Sequence, residues 1–251
     1  MKVNYHMHTM RCHHAWGKDE DYVQSAIKAG FDEIGFSDHS CWIHDEGCHM
    51  RMRVDELEEY LASVLTLKEK YRDKISIRVG LECEFYAEYL PWLKALLASQ
   101  PIDYILLGNH FYKNDRGFYF GHATDEKWKL EAYVKQGIQA METGLYAYYA
   151  HPDLIPFTGD EAYYEKMMTQ MCEKAKETKT PLEFNLLGYV DGRHYPYPPF
   201  WQIASRVGCQ AIIGVDAHDP AALLNEKAMQ EGRAYLESLG MEIVDHIRFL
   251  K

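Results

Sequence analysis

Residues 2–8 read KVNYHMH. Lys2 to Tyr5 has the length of a short strand, and His6-Met7-His8 closes it with two imidazoles at the i, i+2 spacing that turns both to one side of an extended chain. The same construction recurs down the sequence. Glu33 to Ser37 runs into Asp38-His39, Ile75 to Leu81 into Glu82, Tyr104 to Leu107 is followed by His110, Tyr146 to Ala150 by His151, and Ala211 to Val215 by Asp216-Ala217-His218. A further strand is expected over Pro181 to Phe184. Six of the seven expected strands thus end near a metal-type ligand.

Between these strands lie helical patterns, clearest over Asp19 to Ala29, Val54 to Tyr71, Thr124 to Glu142, Glu161 to Thr178 and Ala222 to Leu239. Shorter ones are expected over Leu90 to Ser99 and Phe200 to Val207. Acidic first turns (Asp125-Glu126, Asp160-Glu161) and Gly30 and Gly240 at the far ends support those boundaries. Strand and helix alternating with no linker or composition break predict one α/β domain over residues 1–251, a closed or nearly closed parallel barrel. In such a barrel the carboxyl ends of all strands meet on one face, which gathers these side chains around one pocket. Singly, His110 or His151 would be an ordinary hydrogen-bonded histidine. Collected together, so many buried polar groups would cost about 1–3 kcal/mol each without partners, which points to metal. The segment from Ser40 to Arg53, too long for a simple connection, is expected to be a lid or binding loop.

Composition excludes other classes. The chain has 251 residues, 47% hydrophobic and 26% charged, enough to bury a core. Its net charge of -11, from 27 basic and 38 acidic residues with no basic run, disfavours binding a nucleic acid polymer. No apolar stretch is long enough for a membrane span, and MKVNYHMHT has no apolar signal-peptide core, so a cytoplasmic protein is expected. The six cysteines form no CxxC pair and are expected reduced. Cys41, His44, Cys48 and His49 offer a rival zinc cluster, but their spacing matches no compact zinc motif.

The set HxH (His6, His8), CHHA (His14), SDH (Asp38, His39), GLE (Glu82), GNHF (His110), AHPDL (His151, Asp153), the ExN..G segment (Glu183, Asn185, Gly188) and VDAH (Asp216, His218) resembles the polymerase and histidinol phosphatase (PHP) family, most of all its stand-alone histidinol-phosphatase branch. The resemblance implies a distorted seven-stranded, TIM-barrel-like (β/α) barrel holding three divalent metal ions, Zn, Mn or Fe. It implies that His6, His8, Glu82 and Asp216 bind one metal, that Glu82, His110 and His151 bind a second, with Glu82 bridging, and that His14, His39 and His218 bind a third. Seven neutral imidazoles and two carboxylates around three dications leave about +4, a pocket that attracts a phosphate dianion inside an acidic protein.

The implied reaction is in-line hydrolysis of a small phosphorylated substrate, L-histidinol phosphate to L-histidinol and phosphate, by metal-acidified hydroxide. Arg193, in GRHYPYPP, is the first candidate to contact the phosphate, and Asp153 a candidate to hold the substrate amine or assist proton transfer. Arg51, Arg53 and Trp42 on the long loop are further candidates for substrate contact. Asp38 is read either as orienting His39 or as bonding local backbone. Two departures bear on the substrate. Ile155-Pro156-Phe157 follows HPDL where family members often carry a basic residue, and Val190 stands where many carry an arginine. Both leave open a related phosphoesterase acting on nucleotides or other small phosphates. A non-catalytic metal-binding module is the alternative of another class, disfavoured by the complete ligand set.

Overall fold

The computed structural model describes residues 1–44 and 49–250. Four parallel strands, β1 (Val3–Asn4), β2 (Glu33–Phe36), β3 (Ser76–Cys83) and β4 (Tyr104–Leu107), pair in sequence order. Three more, β5 (Leu182–Asn185), β6 (Gln210–Gly214) and β7 (Glu242–Ile243), form a second parallel sheet. The fifth expected strand, 146–150, is not a ladder but two parallel bridges, Leu107 to Tyr149 and Tyr149 to Leu182, which join the sheets. Its extended run ends at His151, whose backbone turns left-handed (φ 33). β7 was not expected and pairs with the start of β6. The result is a curled parallel sheet, an α/β half-barrel.

Where the curl brings β1 toward β6, a side chain does part of the work of strand pairing. The buried Asn4 accepts from Val215 N at 2.9 Å through Oδ1 and donates to His6 O at 3.1 Å through Nδ2. One bridge follows, Met7 to Ala217, with His8 N donating to Ala217 O at 2.9 Å. This seam lays the HxH segment beside VDAH.

The helices are α1 (Asp19–Lys28), α2 (Leu57–Lys70), α3 (Leu90–Ser99), α4 (Lys127–Glu142), α5 (Glu161–Thr178), α6 (Leu186–Asp191), α7 (Pro198–Val207) and α8 (Glu226–Ser238). Three expected starts are shortened: Val54–Glu56 and Pro220–Leu224 are 3-10 turns, and the helix expected from Thr124 begins at Lys127. The unexpected α6 is made by its caps. Asn185 accepts from Gly188 N, and Gly192 at φ 64 ends the helix, a conformation glycine takes without strain.

Alternation in the strands makes two cores. Tyr5, Tyr104, Leu106, Tyr148 and Ile212 fill the inside of the curl with Ile247 of the terminal segment, whereas Ile105, Leu107 and Tyr149 face outward into the layer packed by helices. Gly35 and Gly80 exist for Tyr104: a Cβ at either would collide with its ring, whose hydroxyl donates to Tyr5 O at 2.8 Å. Among the described residues no helix is long and apolar enough to cross a membrane.

Candidate metal centre

The strand-end residues converge at the top of the curl. Glu82, buried on β3, lies at the middle. Its Oε1 is 3.0 Å from His151 Nε2 and 3.6 Å from His110 Nε2, while its Oε2 is 3.4 Å from His6 Nε2, 3.4 Å from His8 Nε2 and 3.1 Å from His39 Nδ1. Asp216 Oδ1 approaches the same pair, at 3.3 Å from His6 Nε2 and 3.2 Å from His8 Nε2. His14 and His218 complete the cluster. Their rings stack with centroids 4.7 Å apart, and His218 stacks on His8 at 4.2 Å. All nine predicted ligand positions are therefore brought together.

Their grouping is finer than the expected division. Ligand atoms lie within 4.8 Å of one another in His6, His8 and Glu82, in His6, His151 and Asp216, and in His8, His39 and His218, so His8 stands between two groups. Cys12, to which the sequence reading gave no role, falls in a group with His14 and His218.

Behind the cluster lies a layer of carboxylates. His6 Nδ1 is 2.7 Å from Glu183 Oε1, which leaves Nε2 directed at Glu82 and Asp216. Glu183 Oε2 accepts from His151 N at 2.9 Å and Asn185 Nδ2 at 2.9 Å, and Asn185 Nδ2 also donates to Asp216 Oδ2 at 3.0 Å. These bonds hold His151 and Asp216, both at positive φ (33 and 52), in a backbone region unfavourable to side chains. Asp38 accepts from the main-chain N–H of His39 (2.8 Å) and Thr9 (3.1 Å), and faces His8 Nδ1 at 3.6 Å instead of the His39 ring.

Glu84 is one of the residues sequence reasoning missed. Fully buried, it accepts from His110 N at 2.9 Å and sits 2.7 Å from His110 Nδ1. The signal was available, since Glu84, one residue past the end of β3, follows Glu82 at the i, i+2 spacing of an extended chain.

Several expected substrate contacts are corrected. Trp42 is buried against Tyr86, Tyr89 and Trp92. Arg51 is interior too, pairing with Asp115 at 2.8 Å, approaching Glu84 at 3.8 Å and donating to Ser40 O, so it braces the His110 support. Arg53 pairs with its neighbour Asp55 at 2.9 Å on the surface, outside the cavity lining. Asp153 is buried away from the cavity, where Oδ2 accepts from Tyr197 N at 2.6 Å and Trp201 Nε1 at 3.0 Å. Trp42, Arg51 and Met52 thus anchor the described parts of the long loop, while Ile43 and Arg53 stay exposed and Met50 reaches the cavity. Cys48 of the rival cluster lies outside the described residues.

Arg193 does line the cavity, whose volume is about 530 Å³. Its guanidinium donates to Tyr195 Oη at 3.0 Å and to Asp191 Oδ2 at 2.9 Å. Trp16, Tyr119, Tyr195, Asp191 and Asp219 share the lining and were not foreseen.

Electrostatics mark the centre as built for cations. Burial pushes Glu82 and Asp216 toward neutrality, yet the surrounding histidines hold both carboxyls well below the usual range. Glu82 Oε2, Asp216 Oδ1 and His218 Nε2 are nevertheless buried without a hydrogen-bond partner. Anionic oxygens and an imidazole nitrogen left bare at the middle of a polar cluster, where each would otherwise cost about 1–3 kcal/mol, fit a nitrogen and oxygen donor set for divalent metal.

A model of the PHP domain matches residues 4–186. A Deinococcus radiodurans protein named "Probable histidinol-phosphatase" is 25% identical over 226 residues, covering 86% of this chain and 85% of that protein. The "Histidinol-phosphatase" of Bacillus subtilis is 29% identical over 125 residues, 45% of each chain. Among solved structures, a Lactococcus lactis histidinol phosphate phosphatase complexed with zinc, L-histidinol and phosphate superimposes with a TM-score of 0.78 at 19% identity, covering 100% of this chain and 99% of that one. A Listeria monocytogenes structure gives 0.75 at 19% identity, covering 91% and 99%. With the match spanning well over half its length, this chain belongs to the PHP domain family.

Proposed function

We propose that residues 1–251 are one PHP-type domain, that the two sheets and the 146–150 segment form a closed seven-membered barrel, and that the chain is a metal-dependent phosphomonoesterase converting L-histidinol phosphate to L-histidinol and phosphate. The observation that carries the reading is Glu82: one buried carboxylate faced by five imidazoles, with an oxygen that no hydrogen bond reaches. The names borne by similar proteins supply the substrate.

His6, His8, Glu82 and Asp216 would hold one divalent ion, Glu82, His110 and His151 a second, and His14, His39 and His218 a third. When bound, such ions acidify water and neutralise phosphate charge. The chain's own residues do the rest. Glu183 and Glu84 keep the Nε2 atoms of His6 and His110 turned inward. Arg193, steadied by Asp191 and Tyr195, offers the cavity a cation for a non-bridging phosphate oxygen, in place of the two basic positions this chain lacks.

Metal analysis of the purified protein, followed by steady-state kinetics on histidinol phosphate, nucleoside monophosphates and glycerol phosphate, tests the reading. Two or more metals per chain and the highest kcat/KM on histidinol phosphate are expected. Retained metal without turnover of any ester would sink the enzyme reading, and preference for a nucleotide would displace the substrate.

A further inference from the structure

The two sides of the cavity mouth differ: one carries Arg193 paired with Asp191, the other a carboxylate with no cation paired to it among the described residues. Arg193 and Tyr195 stand on the side of His151, whose ring is 5.7 Å from that of Tyr195. On the other side, where the β1 and β6 loops meet, stand Trp16 and Asp219. The Trp16 main chain is pinned, since its N–H donates to His218 O at 2.8 Å and its carbonyl accepts from Tyr22 Oη at 2.7 Å. Its indole is nevertheless 74% exposed, and among the described residues no aromatic ring stacks on it. Asp219 uses Oδ1 to accept from Ala221 N at 2.7 Å, and no lysine or arginine among the described residues pairs with it. Asp219 caps the Pro220–Leu224 turn with one oxygen, but an exposed indole on a fixed backbone beside a carboxylate with no cation, at the edge of a cavity lined by histidines, is a combination suited to binding.

We propose that Trp16 and Asp219 form the subsite for the alcohol end of the substrate, and that this end is planar and cationic. The proposal rests on the phosphomonoesterase reading above. A substrate with a phosphate at one end and a cation at the other cannot place both at the metal centre, because bound dications repel the second charge. The carboxylate at the rim accepts that charge and the indole face receives a planar cation or ring. Arg193 and Tyr195 then face the phosphate. Neither Trp16 nor Asp219 belongs to the predicted ligand set, so selectivity is separable from hydrolysis.

The test compares Asp219→Asn, Trp16→Ala and Trp16→Phe with the parent, all metal-loaded, on histidinol phosphate and on glycerol phosphate, which has neither ring nor cation. Asparagine retains the oxygen that caps Ala221. KM for histidinol phosphate should rise about tenfold in Asp219→Asn and Trp16→Ala, with kcat and the glycerol phosphate parameters within about twofold, and Trp16→Phe should recover most of the loss. Calorimetric binding of L-histidinol should weaken by a similar factor. Equal losses on both esters, or none, would overturn the subsite while leaving the phosphatase reading intact. L-histidinol binding that depends on Asp219 and Trp16 in a protein that hydrolyses no ester would do the reverse.

Discussion

The two sides of the histidine cluster are backed by different atoms. His6, His8 and His110 face the carboxylates of Glu183, Asp38 and Glu84, whereas His14 and His218 turn Nδ1 to the main-chain carbonyls of Cys12 (2.6 Å) and Asp216 (3.0 Å). Burial alone would strip protons from all of them. On the first side the carboxylates overcome it: His6 is raised well above the ordinary imidazole value, His8 is raised to about 9, and His110 is raised. On the second, burial and the neighbouring His8 prevail, lowering His14 and bringing His218 down to about 3. Both kinds of backing fix a tautomer, but only a charged one also strengthens the ring as a donor. The carboxylate-backed side should therefore hold metal more tightly, and the carbonyl-backed side should give it up first.

The largest effect is expected where the sides meet. Glu82→Ala removes the oxygens that face His6, His8, His39, His110 and His151, and should lower kcat by about 1,000-fold or more, some 4 kcal/mol of transition-state stabilisation, with metal content falling on both sides. A variant that is folded by circular dichroism and keeps its rate would break the claim that one carboxylate joins the two halves.

Next comes the backing itself. Glu84→Gln keeps the shape behind His110 but removes the charge, and metal affinity should drop about 10–100-fold. Graded chelation with metal counting separates the sides. In the parent the first ion lost should come from the side of His14, His39 and His218, and in Glu84→Gln the order should narrow or invert. An unchanged order would show that carboxylate backing does not set affinity here.

Arg193→Ala acts at the mouth, on the carboxylate-backed side, and touches no predicted ligand. KM should rise about tenfold with kcat changed only a few-fold. A fall in kcat with constant KM would place the guanidinium in the transition state instead.

How far this was legible depends on what determines each position. The cluster could be read because its residues follow strands: the ends of parallel strands meet whatever joins them, so His6, Glu82 and Asp216 needed no knowledge of packing. Arg51 and Trp42 sit in a connection without periodicity, where nothing local says which way a side chain turns. Arg51 is interior because Asp115, 64 residues onward, neutralises it. The 146–150 segment looked like the other strands, but its ladder is cut short by the turn at His151. Glu84 was readable and hidden only by its stronger neighbour.

Asp153 gives the smallest effect and the sharpest contrast, because it is a buried carboxylate that backs neither side. Its Oδ1 has no partner, and burial pushes the carboxyl up from an ordinary 3.8 to about 7 despite the Tyr197 and Trp201 hydrogen bonds. A group raised on folding binds more protons folded than unfolded. Its contribution to stability is therefore fully present below about pH 4 and is lost as pH rises through about 7. Asp153→Asn keeps an oxygen for both donors and removes the charge that costs stability above that range. Thermal melts should show the variant more stable than the parent at pH 8, by about 2–4 °C for each kcal/mol recovered, with the gap closing toward pH 5. A carboxylate that contacts substrate, as the HPDL motif suggested, would behave differently: the variant would lose activity at every pH and gain no stability at pH 8. Glu84 and Glu183 favour a proton on the imidazoles they face, whereas Asp153, backing no histidine, holds one itself below about pH 7.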